Sequence, residues 1–163
     1  MVHMIEAGVP GLFVFFRGEE VGGVGSSWLA DNMPQALDGI DRCVSLDRAG
    51  YGDVITHQAG ERCCSDAFAD ALAGALTTDD FTLAFLPDST GVFTDSANLT
   101  RIVAECTNLS VGYAAQHGDG EWQDATFLQR LAERLVTVSW DALPVERKLF
   151  EVEKNGKKMQ GWW

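Results

Sequence analysis

The chain is poor in bases and in histidine. Its 163 residues carry 12 Lys and Arg against 24 Asp and Glu, a formal charge of −12 at pH 7, with 3 histidines. A surface of that sign repels phosphate backbones and anionic lipid, so neither nucleic acid nor a membrane surface is an expected partner. Long hydrophobic runs are missing as well. The longest apolar stretch falls far short of a membrane span, and MVHMIEAGVP has no basic segment leading into an apolar one. Neither a transmembrane helix nor a signal peptide is therefore expected. The four cysteines, Cys43, Cys63, Cys64 and Cys106, form no CxxC pair and no zinc-ribbon spacing. Reduced thiols in a cytoplasmic protein are the simplest reading. No internal repeat or low-complexity tract interrupts the chain.

The apolar fraction is 46%, ordinary for a globular protein and sufficient for one α/β domain with its own core. The run LFVFF (residues 12–16), bounded by Gly11 and Gly18, predicts a strand buried on both faces. Ser26-Ser27 is expected to cap a helix through WLADNM toward Pro34. CVSL (43–46) predicts a strand, AGYGD a turn, and VITHQ the returning strand of a hairpin. Ser65 or Asp66 caps a predicted helix DAFADALAGAL, with Phe68, Leu72 and Leu76 on one face. FTLAFL is a further expected strand, NLTRIV a short helix, and TNLSVGY a strand before the polar loop AAQHGDGE. Asp124 caps a long amphipathic helix whose stripe is Phe127, Leu131, Leu135 and Val138. Alternation of strands and helices gives an α/β class with a mixed, mostly parallel sheet flanked by helices. The expected division is a domain over 1–147 and a charged, Trp-ended tail over 148–163, the tail partly disordered or peripheral.

In open α/β sheets ligands gather at the carboxyl ends of strands. LFVFFRG ends at Glu19-Glu20, CVSL ends at Asp47, and TNLSVGY runs into His117. If these strands are parallel neighbours, the side chains converge on one rim. Adjacent carboxylates at the edge of a core repel each other, and a bound divalent cation reverses that sign. Neighbouring residues on an extended backbone point to opposite sides, so one glutamate can bind a metal while the other faces substrate as a general base. Two oxygen ligands and an imidazole suit zinc and tolerate cobalt or manganese. Other readings stand beside these. Asp47 can pair with Arg48 or open the AGYGD turn, His117 can be a plain loop histidine, and Asp95 can cap the NLTRIV helix. His57 and His3 are weaker ligand candidates, one on the returning strand and one at the terminus.

FVFFRGEEVGGVGS, SLDRAG and NLSVGYAAQHGDGE, taken in order, resemble the co-catalytic zinc aminopeptidases and their relatives, over roughly residues 5–145. GVFTDSAN resembles a substrate-side loop of those enzymes. The resemblance implies a zinc exopeptidase-like α/β fold, a dinuclear zinc site and a peptide or aminoacyl substrate. It makes Glu19 the general base, Glu20 and His117 ligands of one metal, Asp47 a ligand of the other, and Asp95 a substrate-side residue. The family's earlier His-x-Asp motif and bridging aspartate have no match here; His3 and Glu6 sit in neither pattern. The expectation is therefore an N-terminally truncated domain with an incomplete site. Such a sheet has an open edge and an exposed apolar face, and marginal stability or self-association should follow. The alternative is a non-catalytic peptidase-like remnant or subunit that acts by association.

Overall fold

A computed structural model describes residues 1–149. The chain forms α1 (Val2–Glu6), a 3-10 turn at Glu19–Val21, α2 (Val24–Asn32), β1 (Arg42–Arg48), β2 (Asp53–Ile55), β3 (His57–Gln58) and β4 (Glu61–Arg62). It continues through α3 (Asp66–Leu76), β5 (Leu86–Asp88), α4 (Asp95–Leu99), β6 (Glu105–Ser110), β7 (Tyr113–Ala114), β8 (Trp122–Gln123) and α5 (Ala125–Thr137). β1, β6, β2 and β5 make a four-stranded mixed sheet in that order. β1 runs parallel to β6 and β2 parallel to β5, while β2 meets β6 antiparallel. The fold is thus α/β with a mixed sheet.

The two helices with the clearest caps form where their sequence signals lie. The Ser65 hydroxyl accepts the Phe68 N–H at the start of α3, and Asp124 accepts the Phe127 N–H at the start of α5. Phe68, Leu72 and Leu76 are fully buried against Val54 and Ile55 of β2 and Leu109 of β6. Phe127, Leu131 and Leu135 carry the α5 stripe into the same core, and Val138 is buried at its C-cap. The Arg134 guanidinium donates to the Ala75 and Thr77 carbonyls, satisfying the end of α3 from α5.

Side-chain alternation places the helices on opposite faces of the sheet. Glu105 and Asn108 are three apart on β6 and so point to opposite sides. Glu105 accepts the Ser65 N–H and hydroxyl at the head of α3, whereas Ser45, the register partner of Asn108, accepts the Ser96 N–H from α4. α2 packs on α4.

Several expectations need correction. LFVFF has no regular secondary structure and joins no sheet among the described residues; Leu12 and Phe15 are 54% and 63% exposed, and only Phe13, Val14 and Phe16 turn partly inward. β1 and β2 do not form a hairpin, because the fully buried β6 lies between them. His57 instead belongs to the small β3–β4 hairpin. α2 begins at Val24 after an N-cap at Gly23, so Ser26 is buried inside the helix rather than capping it. Thr94, not Asp95, is the N-cap residue of α4, which ends at Leu99. Of FTLAFL only Leu86 is in a strand, and TNLSVGY breaks after Ser110. The tail expected over 148–163 lies outside the described residues from 150 onward.

At the end of β1, Arg48 Nε lies 2.7 Å from Asp53 Oδ2 and its Nη2 lies 3.4 Å from Asp88 Oδ1, tying β1 to β2 and β5. The Thr90 hydroxyl and N–H both donate to Asp88 and hold its carboxyl below the ordinary value. A depressed carboxyl contributes stability that is present above its unfolded pKa and is lost as pH falls through the folded one. The melting temperature should therefore drop below about pH 4. In Thr90→Val the drop should be shallower and the neutral-pH value lower. Parallel acid-limb melting curves for the two proteins would mean that the Thr90–Asp88 contact carries none of this dependence.

Candidate functional site

Glu19 and Glu20 occupy the 3-10 turn that follows the LFVFF segment. Gly22 and Gly23 then redirect the chain into α2 with positive φ. At Gly23 (φ +67) a Cβ would stand 2.6 Å from both Asn98 Nδ2 and Ser26 Oγ, so only glycine permits that approach. Asn98 Nδ2 donates to the Gly23 carbonyl and to Ser26 Oγ, fastening the turn to α4.

Asp47 stands near the carboxyl end of β1, where the β1–β6 register shifts between Ser45 and Arg48. Its N–H donates to Asn108 Oδ1 (3.0 Å) and its carboxylate accepts the Thr94 hydroxyl (2.9 Å). Asp95 lies one residue on and accepts the Ser26 hydroxyl at 2.6 Å. His117 sits in the loop between β7 and β8 with φ +63, and its Nε2 is 3.7 Å from Glu20 Oε2. The Tyr113 hydroxyl donates to the Asp47 carbonyl.

These groups sense one another. Burial raises the Glu19 carboxyl first; the charges of Asp47, Glu20 and Asp95 raise it further, and His117 opposes them. Burial also raises Asp47; the Thr94 bond offsets part of this, and Asp95 and Glu20 add to it. The Tyr113 phenol is raised by burial and then by Asp47, Glu19, Glu121 and Glu20. The rim is thus a concentration of negative charge with one imidazole, at one end of an apolar cavity of about 620 Å³. Phe13, Phe16, Val44, Leu99 and Trp140 are among the cavity's apolar lining, and Glu19, Glu20, Asp47 and Asp95 close its acidic end.

Of the residues the sequence singles out, Glu19, Glu20, Asp47, Asp95 and His117 meet on this rim. His57 does not; its Nδ1 is 2.9 Å from Thr56 Oγ1. Ser26, Thr94 and Tyr113 were not legible as site residues. Only the adjacency of Thr94 to Asp95 ahead of a helix hinted at any of them.

The donor types suit a divalent metal, yet among the described residues no three His, Cys, Asp or Glu side chains form a group that could hold one. Glu20 and His117 make the nearest pair of would-be ligands, and Asp47 stands apart with its oxygen engaged by Thr94. Among the described residues, no helix is long and apolar enough to cross a membrane. No family model matches the chain, and no curated protein and no solved structure match it either.

Proposed function

We propose that this rim belongs to a zinc exopeptidase-like site that hydrolyses an amide bond of a peptide or aminoacyl substrate. The observation that carries the reading is the approach of Glu20 and His117, from segments far apart in sequence, to 3.7 Å beside Glu19 and Asp47. Glu20 and His117 would hold one divalent ion and Asp47 would contribute to the other, each with ligands beyond those grouped here. A bound ion would polarise the scissile carbonyl and acidify water. Glu19 accepts the proton of the attacking water and returns it to the leaving amine; its raised carboxyl is better matched to that task than an ordinary glutamate. Asp95, fixed by Ser26, faces the substrate side, and the apolar cavity receives a side chain.

That no third donor joins Glu20 and His117 among the described residues favours a second reading, a peptidase-like subunit without catalysis that acts by association. Zinc content separates the two. Tightly held zinc after dialysis supports the first reading, and none supports the second. If an aminoacyl anilide is hydrolysed, Glu19→Gln should cut turnover by about 10²- to 10⁴-fold while zinc stays bound. His117→Ala should lose zinc first. Unchanged turnover in Glu19→Gln would end the general-base assignment.

A further inference from the structure

β1 is an edge strand of the sheet. The Glu105 N–H donates to the Asp41 carbonyl, and with the parallel register this fixes the direction of every β1 amide. Cys43 and Ser45 present N–H and C=O to β6, while Val44 and Leu46 present theirs to the open edge. Among the described residues, nothing bonds the Val44 and Leu46 backbone groups on that side. The edge forms one wall of the apolar cavity, and residues 12–16 form another. Among the described residues, no backbone group of 12–16 makes a hydrogen bond either.

The cavity has the section of one strand. Arg42 to Leu46 is about 13 Å of β1, and over that length about 620 Å³ gives a mean cross-section of about 48 Å². A strand inside a packed sheet fills about 4.8 Å by 10 Å, the same section. Side chains close both faces of the slot. Leu135 and Trp140 line it from the side of the sheet where α5 meets α3, and Leu29 and Leu99 from the side where α2 meets α4. A strand covered on both faces is apolar at consecutive positions rather than alternating.

We propose that β1 takes up an extended apolar peptide of about five residues, added antiparallel to it with the peptide's amino terminus at the acidic rim. Shape selects a strand, and charge selects the partner and its direction. Both walls lead in chain order to the rim, residues 12–16 into Glu19-Glu20 and β1 into Asp47. Four carboxylates stand there with His117 as the one imidazole. They attract a peptide's ammonium end and repel its carboxylate end, which turns the peptide against the direction of β1. A second copy of the chain, at a net charge of −12, is repelled from the same place. The slot does not depend on the hydrolytic reading, because pairing to β1 requires no metal.

Hydrogen exchange within β1 tests this with its own control. The probe is the pentapeptide amide Val-Leu-Val-Leu-Val with a free amino terminus, in a buffer containing a chelator so that metal-dependent hydrolysis plays no part. At saturation the Val44 and Leu46 amides should slow by about tenfold or more, while Cys43 and Ser45, already bonded to β6, stay as they were. N-methylation of the peptide at one alternate set of residues should abolish the protection, and at the other set leave it. Val44→Pro removes a donor to the slot and none to β6, so peptide binding should fall about tenfold or more with the fold intact. Acetylation of the amino terminus should weaken binding by a similar factor, and equal affinity overturns the orientation. Unchanged exchange of Val44 and Leu46 at saturating peptide overturns the proposal. So does full protection of both amides in the free chain; if that protection grows with protein concentration, a second copy covers the edge.

Discussion

Glu105→Ala should lower folding stability by about 3–5 kcal/mol, read from the urea midpoint at constant slope. Glu105 is fully buried and accepts four hydrogen bonds: the Ser65 N–H at 2.6 Å, the Ser65 hydroxyl at 2.9 Å, the Glu146 N–H at 2.7 Å and the Arg147 N–H at 2.9 Å. One carboxylate joins the head of α3, the start of β6 and the chain after α5. Alanine would strand backbone donors away from water, each costing about 1–3 kcal/mol when unsatisfied. Glu105→Gln keeps an acceptor oxygen and should cost clearly less than alanine. If both variants melted like the unaltered protein, the four contacts would have no energetic weight.

Gly52→Ala should cost about 2–4 kcal/mol, from a left-handed conformation of about 1–2 kcal/mol plus the backbone shift an oversized atom forces. Gly52 has φ +79, and a Cβ there would stand 2.1 Å from the Ala84 carbonyl oxygen. That oxygen is backbone and cannot swing aside. The Leu86 N–H donates to the Gly52 carbonyl at 2.8 Å, immediately before β2 pairs with β5. The substitution should therefore weaken the β2–β5 edge selectively, exposing Leu86–Asp88 amides to exchange before those of β6. Uniform loss across both strands would place the damage elsewhere.

Local signals were readable where a side chain bonds its own neighbourhood. Ser65 and Asp124 mark their helices because each carboxylate or hydroxyl accepts an amide three residues on. The acidic rim was readable because Glu19, Glu20, Asp47 and His117 lie at or beyond the ends of apolar runs. Pairing was not readable, since it depends on residues distant in sequence. LFVFF has the composition of a central strand, yet composition does not supply a partner. FTLAFL failed for a different reason. Asp80 accepts bonds from the Thr78 hydroxyl and the Thr82 N–H and hydroxyl, curling the chain before a strand can start. Glu105 carried no sign of its role, because its donors come from Ser65, Glu146 and Arg147.

The place of β6 between β1 and β2 has a kinetic meaning. β1 and β2 are consecutive but do not pair with each other; their backbones are joined through a strand that starts at Glu105. Loop closure over that separation must precede any reward from the buried centre, which slows barrier crossing. On a ribosome, the first hundred residues emerge as strands without their keystone, with Leu12 and Phe15 already in the open. Joining of β1 to the β2–β5 pair is then a late event, and the nascent chain's risk of sticking to its neighbours is concentrated in the interval before it.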